Sequence, residues 1–127
     1  MERTTPIFDI HERTFRYAMD AIGVYTELQS QRNSAGWIIG KQLLRSATSI
    51  GANMEEAKAA ETRADFIHKC SISQKEARES LYWLRLLSAS GILEELRLAP
   101  LINETHEIVA ILTAIGKNAR QNMNRKQ

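Results

Sequence analysis

An all-α, up-and-down antiparallel four-helix bundle is what this sequence predicts, and three observations predict it. Residues 39–57 and 66–87 repeat apolar or small residues at alternating intervals of four and three, the period of a helix face turned to a partner. Only two prolines and six glycines interrupt 127 residues rich in Leu, Ile, Ala, Glu, Lys and Arg, a composition that favours helix. No alternation of apolar and polar residues marks a strand. The expected helices cover about 9–30, 35–60, 63–90 and 99–120 of one domain, 1–127, with a frayed basic tail at 121–127.

Each element has its own signals. Asp9 with Glu12 reads as a capping box after the apolar Phe8, and Phe15, Ala18, Ile22, Tyr25 and Leu28 read as the core stripe of the first helix. Gly23 interrupts that stripe and would let a neighbouring helix come close. The polar residues 30–34 form a turn, with Ser34 as N-cap of the second helix. The core stripe of that helix is Ile39, Leu43, Ser46, Ile50, Asn53 and Ala57. Thr62 with Asp65 caps a third helix, whose stripe is Phe66, Cys70, Ser73, Ala77, Ser80, Leu84 and Leu87, and Gly91 ends it. Pro100 suits the first turn of a fourth helix, where Leu101, Thr105, Ile108, Leu112, Ile115 and Ala119 face the core.

Composition narrows the function classes. With 43% hydrophobic and 25% charged residues, the chain falls in the ordinary globular range. No apolar run approaches the roughly 20 residues of a membrane span, and the first residues carry no apolar stretch of a signal peptide. A single cysteine makes no internal disulfide, in keeping with the reducing cytoplasm expected for this protein. The net charge of +2 is unevenly placed: Lys117, Arg120, Arg125 and Lys126 lie in a C-terminal segment without acids, on a mildly acidic body.

Polar residues inside the apolar stripes carry the most information, because a buried polar group must find a hydrogen-bond partner. A second–third helix hairpin centred on residue 60 or 61 sets Arg45 level with Glu76 and Asn53 level with His68. Glu56 and Glu79 flank the same seam. Arg45, Asn53, Glu56, Glu76 and Glu79 therefore read as a structural polar network fixing helix register. If the Arg45–Glu76 pair is buried, removing the arginine costs about 3–5 kcal/mol. The competing reading is a ligand or catalytic site in the bundle, for which no cofactor motif speaks.

Other chemistry is thinly represented. Asp65 and His68 have the spacing of a carboxylate-bridged metal bundle, but the motif occurs once and the required second copy is missing. No metal or cofactor is therefore expected. Cys70 lies on the apolar stripe and reads as a small core residue. Phosphate loops, nucleophile elbows and paired-cysteine motifs are lacking, so the chain reads as a non-enzyme. Around Tyr82, Trp83 and Leu86 the third helix is apolar nearly all round, broken by Arg85. Those three residues read as a subunit interface, and Trp37 and Ile38 repeat the feature on the second helix.

Several of these segments together carry a resemblance. Residues 42–56, from Gln42 through Arg45 and Asn53 to Glu56, then 64–67 with Phe66, then 75–84 with Glu76, Glu79 and Trp83, resemble the 23S rRNA intervening-sequence protein family. The likeness spans about residues 7–115, and the Phe8-Asp9-Ile10 opening fits it. The family often follows its Asn-x-x-Glu with glycine, where this chain has Ala57. The resemblance implies a bacterial cytoplasmic four-helix bundle that assembles into a homopentamer, with no shared enzymatic activity. The chain is also similar to the accessory protein of diversity-generating retroelements, a pentameric bundle that binds nucleic acid and a reverse transcriptase.

Two readings of function follow. One is a homo-oligomeric scaffold that binds RNA or DNA through Arg13, Arg16, Lys117, Arg120, Arg125 and Lys126. The other is a pure interaction module whose partner is another protein. Neither calls for a membrane.

Overall fold

Four helices follow one another along the chain: α1 (Pro6–Gln29), α2 (Ser34–Lys58), α3 (Arg63–Ala89) and α4 (Glu95–Arg125). The computed structural model describes the backbone of residues 6–125 and the side chains of residues 10–124. Each helix packs on its neighbours in sequence, and α1 meets α4 to close the bundle. The described residues contain no strand. The architecture is the antiparallel four-helix bundle expected from the periodicity.

Three of the four stripes lie where their spacing puts them. On α2, Leu43, Ser46, Ile50 and Ala57 are buried, and on α3 every stripe residue from Cys70 to Leu87 is buried. All six expected core positions of α4, from Leu101 to Ala119, are buried. Helix α1 differs. Its buried face is Ile10, Thr14, Tyr17, Ala21, Val24 and Leu28, while Phe15 is 65% exposed and Ile22 is exposed as well. Both faces have helical spacing. The one chosen offers small residues at the helix contacts and a tyrosine whose hydroxyl finds a partner inside.

Helix ends correct several expectations. Asn33 is the N-cap of α2, its side chain accepting from the Gly36 amide at 3.0 Å, and Ser34 is the first helical residue. Thr62 caps α3 as expected, accepting from Asp65 N at 3.0 Å. Gly91 ends the α3 connection in the left-handed region, at φ +76°, which a side chain would disfavour. Helix α4 starts at Glu95, so Pro100 sits inside it rather than in its first turn, and the helix runs on to Arg125 rather than fraying after Arg120. Residue 9 lies within α1, not at its cap; the side chains of Phe8 and Asp9 are outside the described residues.

Close helix approach belongs to Gly51, where an added Cβ would lie 3.5 Å from the Thr14 backbone, and the tightest side-chain contact to Gly40, not to Gly23. A Cβ on Gly40 would lie 2.9 Å from Leu28 Cδ1, whereas one on Gly23 would meet nothing within 4 Å. Ala57, at the position where the resemblance has glycine, is buried inside α2, and no non-glycine residue among those described has positive φ. By length and composition α4 is the one described helix able to cross a membrane, with a window of mean hydropathy 1.2. Its apolar residues Leu98, Leu101, Ile108 and Leu112 are spent on the bundle core.

Candidate interaction surfaces and the polar network

The seam serines are buried and hydrogen-bonded, and they draw in residues that hydropathy alone did not mark. Ser80 Oγ donates to the Glu76 carbonyl at 2.9 Å, which leaves it an acceptor for Ser46 Oγ at 2.7 Å. Across the core, Thr105 Oγ1 donates to the Leu101 carbonyl at 2.7 Å and so accepts from Tyr17 at 2.6 Å. Tyr17 also feels the Ser80 hydroxyl. One residue from each helix thus contributes to a buried hydroxyl layer. Ser73 adds a bond to the Ile50 carbonyl at 2.8 Å, joining α3 directly to the α2 backbone. Burial pushes the Tyr17 phenol up to about 12, against the smaller opposing pull of the Thr105 hydroxyl it bonds and of the nearby Ser80 hydroxyl.

The charged residues of the expected network do not form one unit. Arg45 pairs with Glu79 and lies 3.6 Å from Glu76 Oε2. Asn53 donates to its own helix, to the Ser49 carbonyl at 2.8 Å. Glu56 pairs with Lys69 at 2.8 Å. Meanwhile Ser46 meets Ser80 and Glu56 meets Lys69, which centres the hairpin nearer Thr62 than residue 60 and moves Asn53 away from the level of His68. The Arg45 side chain is 54% exposed. It is not the buried pair whose loss would cost several kcal/mol; an exposed pair contributes roughly 0–1 kcal/mol.

Two buried atoms near this cluster make no hydrogen bond among the described residues. Glu76 Oε2 and Trp83 Nε1 are buried without a hydrogen bond. At the other end of the bundle His11 Nδ1 is likewise unbonded, 3.8 Å from Glu55. Burial, helped by Lys58 and opposed by Glu55, holds the His11 pKa below its usual 6.5. Asp65 and His68 are both exposed, and no three metal-ligating side chains gather among the described residues. Burial pushes the Cys70 thiol up to about 11, which keeps it protonated and a poor nucleophile.

The surfaces are arranged as follows. Of the three interface candidates, Tyr82 is 53% exposed and stacks edge-on against Trp83, while Trp83 and Leu86 are half-buried. Ile38, 65% exposed, lies level with Leu86 at the observed hairpin register. A second apolar face is the one that α1 turns outward: Phe15, Met19 and Ile22, all exposed. Among the expected nucleic-acid contacts, Arg13 is engaged by Glu104, with Nε 2.9 Å from Oε2, and Arg16 by Glu12 at 2.8 Å. Lys117 and Arg120 are exposed on α4. The side chains of Arg125 and Lys126 lie outside the described residues.

Fold and surfaces together define the class: an all-α antiparallel bundle, tied through its core by hydroxyls, that presents apolar and charged faces. The family described as 23S rRNA-intervening sequence protein matches residues 8–114. The chain belongs to that family. A crystal structure of a protein of unknown function from the S23 ribosomal protein family of Bacteroides thetaiotaomicron is similar, with 34% identity and a TM-score of 0.83, covering 89% of this chain and 99% of that one. No curated protein matches the chain. Neither description attaches an enzymatic activity.

Proposed function

We propose that this protein is a non-enzymatic, homo-oligomeric helical-bundle scaffold of the cytoplasm that holds RNA or DNA on a basic surface. The observation that carries the assembly is the pair of apolar faces on different sides of the bundle. One is Phe15, Met19 and Ile22 on α1; the other is Ile38 and Tyr82, backed by Trp83 and Leu86, on α2 and α3. Each large apolar side chain left in water forgoes about 1.5–3 kcal/mol of burial. Unlike patches on different sides favour head-to-tail contact, and head-to-tail contacts that close make a ring. Five subunits is the number that the family resemblance implies.

Light scattering on the native protein is the test. The expected mass is about five times the 14.4 kDa chain. Tyr82→Glu and Phe15→Glu, each alone, should give smaller, still helical particles, and a monomeric native protein would overturn the assembly. The second reading, a partner that is another protein, is favoured by Leu96, the most exposed large apolar residue described, which belongs to neither face. Nucleic-acid binding that survives in the Leu96→Ser variant separates that reading from the first.

A further inference from the structure

Charge is sorted across α3. Its acids Glu76 and Glu79 face α2, where Arg45 engages them. Its exposed cations lie on the other side. Gln74 donates to Thr113 of α4 at 2.8 Å, which identifies the flank of α3 that adjoins α4. Arg78 and Arg85 follow Gln74 by four and eleven residues and share that flank; Lys75 lies beside them, further outward. On α4, Lys117 and Arg120 follow Thr113 by four and seven residues and so share the matching flank. All five cations are exposed. None has an ion-pair partner among the described residues, whereas Arg13, Arg16, Lys58, Lys69 and Arg97 are each held by a carboxylate.

We infer that the outer face of α3 and α4, with Lys75, Arg78, Arg85, Lys117 and Arg120, is the binding track for a nucleic-acid phosphate backbone. The inference rests on the nucleic-acid half of the function proposed above and gives it a place. At the register of the Gln74–Thr113 bond Lys117 stands level with residue 70, so the track runs from there to Arg85, about 22 Å at ~1.5 Å per residue. That length matches roughly six steps of a duplex strand at ~3.4 Å each. Guanidinium groups suit phosphate oxygens because their donors engage two at once. The one carboxylate at the track's end is Glu95, which shares an open groove with Arg85, Ser88 and Ile102. Tyr82 follows Arg78 by four residues and precedes Arg85 by three, so the track borders the α2–α3 apolar face of the proposed ring, and assembly would set copies of the track beside the subunit contacts.

The experiment is a fluorescence-anisotropy titration of the full chain with a labelled RNA hairpin and with a labelled single-stranded DNA, each across a range of KCl. Five phosphate contacts give a log–log salt slope of about −4.5 on duplex and about −3.5 on single strand. The double variant Arg78→Gln, Arg85→Gln should lower the slope by about two and weaken binding alike on unrelated sequences. The double variant Arg32→Gln, Lys41→Gln removes the same charge from exposed positions outside the track and should bind as the native protein does. Equal loss in both variants would mean a response to net charge and would overturn the track. So would a poly-glutamate peptide that competes as well as RNA does, which would assign the face to acidic proteins. Light scattering on the same samples separates the proposals. Full-size particles that bind no nucleic acid overturn the nucleic-acid half of the function together with this inference. Full-size particles whose binding is unchanged by Arg78→Gln, Arg85→Gln overturn this inference alone, and monomers that bind overturn only the assembly.

Discussion

The centre of the bundle and its α2–α3 face both hold polar groups, under opposite conditions. In the centre Tyr17, Ser46, Ser80 and Thr105 are neutral, almost wholly shielded from water, and hydrogen-bonded in the pairs Tyr17–Thr105 and Ser46–Ser80. On the face Arg45, Glu76 and Glu79 carry charge, and the arginine is open to solvent. Shielding makes each inner bond costly to break, because the orphaned partner has no water to turn to. Solvent makes the outer pairs cheap to lose, because water replaces each partner and salt screens the rest. Charge is therefore a poor guide to which polar cluster fixes the bundle.

The largest effect that would break this comparison concerns Tyr17. Tyr17→Ala should cost about 3–5 kcal/mol, as for other large buried aromatics, measured by urea unfolding. Tyr17→Phe isolates the hydroxyl and should cost about 0.5–1.5 kcal/mol; a neutral phenylalanine variant would show that the layer contributes nothing.

Alkaline pH sharpens the same point. The folded phenol is raised to about 12 from 10.0, so the unfolded chain gives up this proton first as pH rises. The contribution is fully present below pH 10 and is lost as pH rises through 12, about 2–3 kcal/mol in all. That loss exceeds the roughly 0.5–1.5 kcal/mol the hydroxyl contributes at neutral pH. The native protein should therefore start more stable than Tyr17→Phe and become the less stable of the two before about pH 12; a constant difference would sink the assignment.

The smallest expected effect is Arg45→Ala, at under about 1 kcal/mol and less still in 1 M KCl. A loss of several kcal/mol would mean that a neighbouring subunit covers the pair.

How much of this was legible in the sequence differs by helix. On α2, α3 and α4 the intervals of four and three fell on the faces that are buried, since there the spacing persists along the length of each helix. Helix α1 carries two faces of helical spacing. Reading by hydropathy favoured Phe15 and Ile22 over Thr14 and Tyr17, although the latter are buried. Tyrosine and threonine look polar in a sequence until a partner hydroxyl is known, and that partner, Thr105, lies 88 positions away in the chain. The arginine–glutamate pairing was legible because hairpin geometry is local. Its exposure was not, since that depends on how far a long side chain reaches past the seam. Lys75, Arg78 and Arg85 went unmarked because their meaning comes from contrast with cations that are engaged elsewhere.

The thiol of Cys70 makes the bundle its own clock. It sits on α3 among core residues with a pKa pushed up to about 11, so in the closed bundle it meets reagent neither as an accessible atom nor as a thiolate. Alkylation can proceed only through excursions in which α3 and α4 part at this end. With one cysteine per chain, the labelling rate at low reagent concentration, divided by the rate for an unstructured peptide thiol, is the fraction of time the interior stands open. Measured against temperature, that ratio reports local opening free energies under native conditions, without denaturant or extrapolation.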